Sequence, residues 1–140
     1  SRFDDDTFSD LYASHVVEHL DYRDELLHAL TEWNRVLHPG GRVLVSVPDL
    51  DVLARLFIDR AKLTVDERFM VMRMMFGGHV DKFDYHVVGF NDELLAAFLF
   101  RAGFTNVRRV PSLGLFRDTS VMVFKGMPIS LNVVAEKAPA

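Results

Sequence analysis

The sequence predicts a three-layer α/β domain in which helices pack on a mainly parallel sheet. The segment Arg42 to Val47 ("RVLVSV") is almost entirely apolar and β-branched, as expected of a strand that is covered on both faces. An amphipathic helical stripe and a Gly-Gly turn precede this strand, which is the order of a βαβ unit. The 140 residues, 49% of them hydrophobic and 12 of them Phe, suffice for one core. We therefore expect residues 1–140 to form a single domain.

The βαβ unit accounts for the first part of the chain. The short segment Ser9 to Ser14 is bounded by turn residues and suits a strand that ends at Ser14. From Asp21 to Leu37, apolar residues recur at spacings of three and four, which predicts an amphipathic helix with Asp21 as its N-cap. His38-Pro39-Gly40-Gly41 ends this helix, because Pro and Gly do not continue it. The crossover to the next strand should be right-handed.

Helices and an irregular segment follow the buried strand. Leu50 to Lys62 reads as helical, and Thr64 with Glu67 forms a capping-box pattern that opens a Met-rich helix ending at Gly77-Gly78. The stretch from His79 to Phe90 is rich in His and Asp without periodicity. It is therefore expected to be a loop over a site.

The last part of the chain returns to the sheet. Asn91 is the predicted cap of a helix that runs through Ala102, and Thr105 to Val110 reads as a strand. The last core strand is placed at Ile129 to Glu136. For Ser120 to Phe124 the composition does not separate strand from helix.

Composition limits the classes of partner. The formal net charge is −4, which disfavours nucleic acid as a partner because phosphate binding needs a clustered cationic surface. The chain has no Cys, no apolar run long enough to span a membrane and no signal-peptide layout. These features predict no membrane association and a cytoplasmic location.

Three segments carry a resemblance to a known family. They read "FDDDTFSDLYASHVVEHLDY", "LTEWNRVLHPGGRVLVSVPD" and "LLAAFLFRAGFTNVRRV". In order and spacing they resemble the C-terminal half of a class I S-adenosylmethionine-dependent methyltransferase. The most specific piece is Arg35 to Gly41 followed by the buried strand and Pro48. Two further segments, "FGGHVDKFDYHVVGF" and "GLFRDTSVMVFKGMPISLNVVAEK", are similar to a bacterial group of predicted methyltransferases associated with surface-polysaccharide biosynthesis.

The resemblance implies a Rossmann-like methyltransferase fold that is truncated at its N-terminus. The expected strands are the family's fourth, fifth, seventh and sixth, in that order across the sheet, with the last strand of the chain antiparallel to its neighbours. The family's glycine-rich loop and its ribose-binding acidic residue would precede Phe3 and are not in the sequence. Without the earlier strands, the fourth strand would have an unpaired edge, which predicts a homodimer.

The resemblance also assigns a site. Residues after the fourth strand would line S-adenosylmethionine, and residues near the strand ends would contact the acceptor. The irregular loop would supply groups that take the acceptor's proton. The candidates are Ser14, His15 and Val16 for the cofactor, His19, Pro48 and Asp49 for the acceptor, and His79, Asp81, Asp84 and His86 for catalysis.

His15, Glu18 and His19 also match H-x-x-E-H, the spacing of an inverted zinc-protease motif. In such a protease both His residues lie on one helical face, the Glu is the general base and a further ligand is needed. Because His15 directly follows a predicted strand, a regular helix through both His residues is not expected. Alternatively, Glu18 and His19 merely open the helix, and a backbone carbonyl satisfies His15.

Three functions follow for the chain. The first is methyl transfer to a small-molecule or glycan-related acceptor. The second is a non-enzymatic association module, because half of the expected cofactor site is absent. The third, less favoured, is a zinc hydrolase; no metal site is assigned.

Overall fold

A four-stranded sheet forms the centre of the computed structural model, which describes residues 2–140. Its strands are β1 (Phe8–Ser14), β2 (Leu37–Pro48), β3 (Phe104–Val110) and β6 (Ser130–Lys137). Their order across the sheet is β1-β2-β6-β3. β1 and β2 are parallel, whereas β6 is antiparallel to both β2 and β3. The predicted fold class, the strand order and the antiparallel last strand are confirmed.

The described residues form four α-helices: α1 (Glu25–Val36), α2 (Leu50–Ile58), α3 (Val65–Phe76) and α4 (Asp92–Arg101). Buried Leu side chains of α1 and α4 pack on the Val and Leu residues of β2 and β6 in the largest core. On the opposite face, Leu44 and Val134 pack with Leu113 from an irregular segment. α2 and α3 form a separate small core with Ile129. This places α2 and α3 beside one end of the sheet.

The start of α1 differs from the prediction. Its N-cap is Asp24, not Asp21. The side chain of Asp21 instead accepts a hydrogen bond from the backbone N–H of Arg23 at 2.8 Å, which closes a turn before the helix. Asp residues suit both positions, so the spacing of the apolar residues could not separate them.

The Pro-Gly-Gly segment is an irregular bulge within the bounds of β2 rather than a turn before the strand, and Gly40 in it has a φ of +79°. β2 already begins at Leu37, and its pairing with β1 shifts register between Phe8 and Asp10. A Cβ on Gly41 would lie 2.8 Å from the carbonyl oxygen of His38 and 3.0 Å from that of Ser9. Gly41 is therefore required by close approach of two backbone segments.

The caps of the later helices are confirmed. Thr64 and Glu67 exchange the two hydrogen bonds of a capping box, at 3.2 and 2.9 Å, and Asn91 caps α4. α2 ends at Ile58, before the predicted Lys62.

The undecided segment Ser120 to Phe124 contains both kinds of structure. A 3-10 helix covers Thr119–Val121. β4 (Val123–Phe124) then pairs with β5 (Met127–Pro128) in a small hairpin. Residues 79–89 contain no helix or strand, as predicted. In the described part of the chain, no helix combines the length and apolar character that a membrane span requires.

Candidate active site

The carboxyl ends of β1 and β2 lie side by side and define the edge at which the candidate site is built. Ser14 pairs with Ser46, and the backbone N–H of His15 donates to the Ser46 carbonyl at 2.8 Å. His15 has a φ of +54°, so the chain turns sharply there and leaves Val16 43% exposed. Open α/β sheets bind ligands at such strand ends. The predicted cofactor residues therefore lie at the appropriate edge.

The side chain of His15 bridges two elements. Its Nε2 lies 2.9 Å from the hydroxyl of Ser130, and that hydroxyl donates to the Thr119 carbonyl at 2.8 Å. Since the hydroxyl hydrogen is already used, Nε2 of His15 is the donor. Its Nδ1 lies 3.3 Å from a carboxylate oxygen of Glu18. His15 thus connects β6 to the residues that follow β1.

Glu18 is a buried acid, only 1% exposed, in the 3-10 helix Val17–His19. Within residues 2–140, no group donates a hydrogen bond to either of its carboxylate oxygens. A buried carboxylate without donors is costly. Such a group favours positive charge on its neighbours.

Glu18, His19 and His86, which we name the Glu18 cluster, place three potential ligand atoms within 4.8 Å of one another. The two imidazole rings meet edge to face, with centroids 4.8 Å apart. Nδ1 of His19 lies 3.0 Å from the Tyr85 carbonyl, and Nδ1 of His86 lies 3.1 and 3.2 Å from two carbonyls in the last turn of α3. Because carbonyls only accept hydrogen bonds, each Nδ1 carries a hydrogen, and the neutral form of each ring therefore has its lone pair on Nε2.

Burial favours the neutral form of His86. Burial lowers its pKa below the usual value of 6.5 most strongly, Glu18 opposes this effect and His19 adds to it. Its backbone N–H donates to the Phe76 carbonyl at 3.0 Å, and the next N–H, of Val87, donates to the Glu18 carbonyl at 2.9 Å. The main chain thus fixes the position of His86 beside Glu18.

A cavity of about 340 Å³ opens beside these residues, between the end of β2, α3 and the segment before β6. Its walls are mostly apolar, with a few polar groups, as in small-molecule sites. The lining residues include His15, Pro48, Met70, Arg73, Met74, Asp84, His86, Thr119, Met122 and Ile129.

Two of the four predicted catalytic residues line this cavity and two do not. Asp84 and His86 are on its wall. The ring of His79 stacks on Tyr85 at 3.9 Å, and its Nε2 contacts the Phe76 carbonyl at 2.8 Å. The carboxylate of exposed Asp81 accepts from the N–H of Phe83. His79 and Asp81 therefore shape the loop rather than face the cavity.

The three predicted acceptor-side residues lie at different positions. Pro48 lines the cavity, and His19 belongs to the Glu18 cluster. Asp49 is buried, pairs with Arg109 at 2.7 Å and caps α2 through the N–H of Asp51. Its side chain is thus engaged in holding α2 against the sheet.

The sequence did not predict that the segment before β6 forms one wall of the cavity. Tyr12 donates to Asp118 at 2.6 Å, and the N–H of Ser120 donates to the same side chain at 2.8 Å. Burial would raise the pKa of Asp118, but the hydrogen bonds from Ser120 and Tyr12 outweigh it and lower the pKa to about 2. These bonds fix Thr119 at the cavity. The only sequence signal was Ser130 and Asn132, two polar residues in the otherwise apolar "ISLNVVA".

The H-x-x-E-H residues do not converge as they would in a zinc protease. His15 lies at the end of β1, and only Val17–His19 are helical. His15 contacts Ser130, whereas His19 contacts His86. The expectation that the two His residues share no regular helix is confirmed.

Comparison with known proteins supports one fold family. A family model described as a methyltransferase domain matches residues 1–45. No curated protein matches the sequence. Among solved structures, an S-adenosylmethionine-dependent methyltransferase from Methanosarcina mazei superposes with a TM-score of 0.62 at 14% identity. A possible histamine N-methyltransferase from Thermotoga maritima gives 0.60 at 19% identity. The 1,6-didemethyltoxoflavin-N1-methyltransferase of Burkholderia thailandensis, with S-adenosylhomocysteine bound, gives 0.55 at 18% identity.

These superpositions use almost all of the chain but only part of each neighbour. They cover 100%, 98% and 96% of the chain, and 64%, 59% and 45% of the respective neighbours. The chain therefore spans less than two thirds of the length of these structures.

Proposed function

The chain has the fold of the class I S-adenosylmethionine-dependent methyltransferases, and on that premise we propose that it takes part in methyl transfer to a small-molecule or glycan-related acceptor. The observation that supports this proposal best is the position of the cavity. It lies at the carboxyl ends of β1 and β2, and both His15 and His86 are on its wall. One predicted cofactor residue, His15, and one predicted catalytic residue, His86, thus line the same cavity, which supports the proposal.

Ser14, His15 and Val16 are the residues that would hold the cofactor. Val16 offers an exposed apolar side chain at the strand end, where adenosine can be covered, and the turn at His15 presents backbone groups there. Bound S-adenosylmethionine supplies an activated methyl group on a sulfonium. The protein then needs to align the acceptor and exclude water.

Loss of the acceptor's proton is assigned to the Glu18 cluster. A hydroxyl or amine acceptor in the cavity would face His86, whose Nε2 has a free lone pair. The buried carboxylate of Glu18 stabilises positive charge that appears in the cluster. Asp84 and Arg73, also on the wall, are available to orient polar groups of the acceptor.

Calorimetric titration with S-adenosylhomocysteine tests the proposal. The wild-type chain should bind it saturably, and Val16→Asp should weaken binding by about tenfold or more, because a charge replaces an apolar contact. Val65→Asp is the matched control: Val65 is 72% exposed on the first turn of α3, away from the cavity. No binding at millimolar ligand, or equal loss in the two variants, would argue against the proposed site.

The other sequence expectations stay predictions. β1 is an outer strand of the described sheet, so its free edge is the surface through which the predicted homodimer, or an association module, would pair. The cytoplasmic location and the link to surface polysaccharides rest on the sequence.

A further inference from the structure

We propose that Glu18, His19 and His86 bind one divalent first-row transition-metal ion, such as Zn²⁺, at the wall of the acceptor cavity. The role of this ion, activation of a methyl acceptor, rests on the proposed function, whereas the binding itself does not. The open side of the site adjoins the cavity because His86 belongs to both.

The ligand chemistry selects the class of ion. Two imidazole nitrogens and one carboxylate form the donor set of many catalytic zinc sites, which keep a further position open. Imidazole also suits other first-row transition ions, whereas Mg²⁺ and Ca²⁺ prefer oxygen ligands. The cluster therefore points to a transition metal.

Both rings are already in the tautomer that a metal ligand with a free Nε2 needs. Metal-binding His residues usually donate the second ring N–H to a carbonyl or carboxylate, which fixes the tautomer. Here Nδ1 of His19 and Nδ1 of His86 each contact backbone carbonyls, at 3.0 and 3.1 Å. Both Nε2 lone pairs are thus free for an ion without any change of tautomer.

The buried carboxylate of Glu18 supplies the negative charge that would attract a cation. Glu18 is 1% exposed and, in the described chain, accepts no hydrogen bond at either oxygen. One oxygen lies 3.3 Å from His15. A cation at the cluster would offset the cost of burying this charge.

The site needs only a small contraction. The three donor atoms lie within 4.8 Å of one another, whereas bonds of about 2.0 to 2.2 Å to zinc place tetrahedral donors about 3.5 Å apart. His19 and His86 are both partly exposed and can rotate toward Glu18. The arrangement differs from the H-x-x-E-H motif, because His86 replaces His15 as the second imidazole.

The ion would favour a hydroxyl acceptor. Transfer to a hydroxyl forms one C–O bond, breaks the C–S bond of the sulfonium and releases the hydroxyl proton to solvent, because the Nε2 of His86 that would otherwise accept this proton holds the ion. A divalent cation next to the hydroxyl oxygen favours release of that proton. The inference therefore narrows the proposed acceptor class to hydroxyl-bearing small molecules or glycans.

Zinc binding to the untagged, chelator-treated chain tests the inference. Calorimetry with Zn²⁺ should show a single equivalent bound, and Co²⁺ should give visible absorption typical of a site with nitrogen ligands. His19→Ala and His86→Ala should each weaken Zn²⁺ binding by about 100-fold or more, since even partners of ligands contribute 10- to 100-fold. His28→Ala and His38→Ala, at two exposed histidines, are the controls and should bind as the wild type does.

Absence of Zn²⁺ binding, or loss in the controls equal to that in the cluster variants, would overturn the inference. Circular dichroism melting verifies that each variant is folded, and two cluster variants keep the test valid if one fails to fold. The S-adenosylhomocysteine titration in metal-free buffer is scored separately. Cofactor binding without zinc binding would reject the metal site and leave the proposed function standing.

Discussion

Replacing Glu18 by Met is expected to raise the free energy of unfolding by about 1 to 3 kcal/mol in metal-free buffer at neutral to mildly alkaline pH. The carboxylate is buried and, among the described residues, has no hydrogen-bond donor. Met fills a similar volume with a flexible apolar side chain. The substitution therefore removes the cost of burying a carboxylate that has no hydrogen-bond donor.

Urea denaturation of wild type and Glu18→Met measures this difference. Glu93→Met is the matched control, because Glu93 is exposed on the first turn of α4. It should change stability by less than about 0.5 kcal/mol. A loss of stability in Glu18→Met would mean that the contact with His15 stabilises the fold. A gain would indicate that Glu18 is retained for function at the expense of stability.

Gly77→Ala is expected to destabilise the chain by about 2 to 4 kcal/mol. Gly77 has a φ of +89°, which side chains rarely adopt, and an added Cβ would lie 2.2 Å from the carbonyl oxygen of Asp84. It would also lie 3.1 Å from the backbone nitrogen of His86. The methyl group must therefore displace the backbone that carries two cavity residues.

Gly114→Ala is the control that separates the two causes of instability in Gly77→Ala, the steric clash of the added Cβ and the unfavourable backbone conformation. Gly114 also has a positive φ, of +77°, but no atom lies within 4 Å of its added Cβ. It should lose only about 1 to 2 kcal/mol. Equal losses in the two variants, measured by urea denaturation, would contradict the packing of the loop against the end of α3.

Local patterns predicted most of the elements and failed where two residues of one type competed. The capping box at Thr64 and the buried strand at Arg42 to Val47 follow from short-range physics, which the sequence displays directly. Asp21 and Asp24 are equally good caps, so only the folded geometry selects Asp24. The sequence predicts the Pro-Gly-Gly segment outside the strand. The close approach of Gly41 to Ser9, which brings the segment into the strand, is a tertiary contact that no local pattern reveals.

The site was less predictable because the residues that contact one another in it are distant in sequence. His15 and His86 could be proposed from their position after a strand and in an irregular loop. Ser130 reaches His15 because β6 runs antiparallel beside β2, and no local pattern reports that contact. The same is true of Arg109, which engages Asp49 from β3. The grouping of Glu18 with His86, rather than with His15 alone, likewise required the loop to fold back onto the 3-10 helix.

Chemical-shift mapping of S-adenosylhomocysteine on the ¹⁵N-labelled chain tests most directly that the ends of β1 and β2 form the methyl-transfer site. We predict that the amides of Ser14, His15 and Val16 shift with a single saturable dependence on ligand. The α2 residues around Arg55 line a separate cavity. The chemical shifts of their amides should not change. Shifts confined to α2, or no shifts at millimolar ligand, would contradict the assignment of this edge as the site.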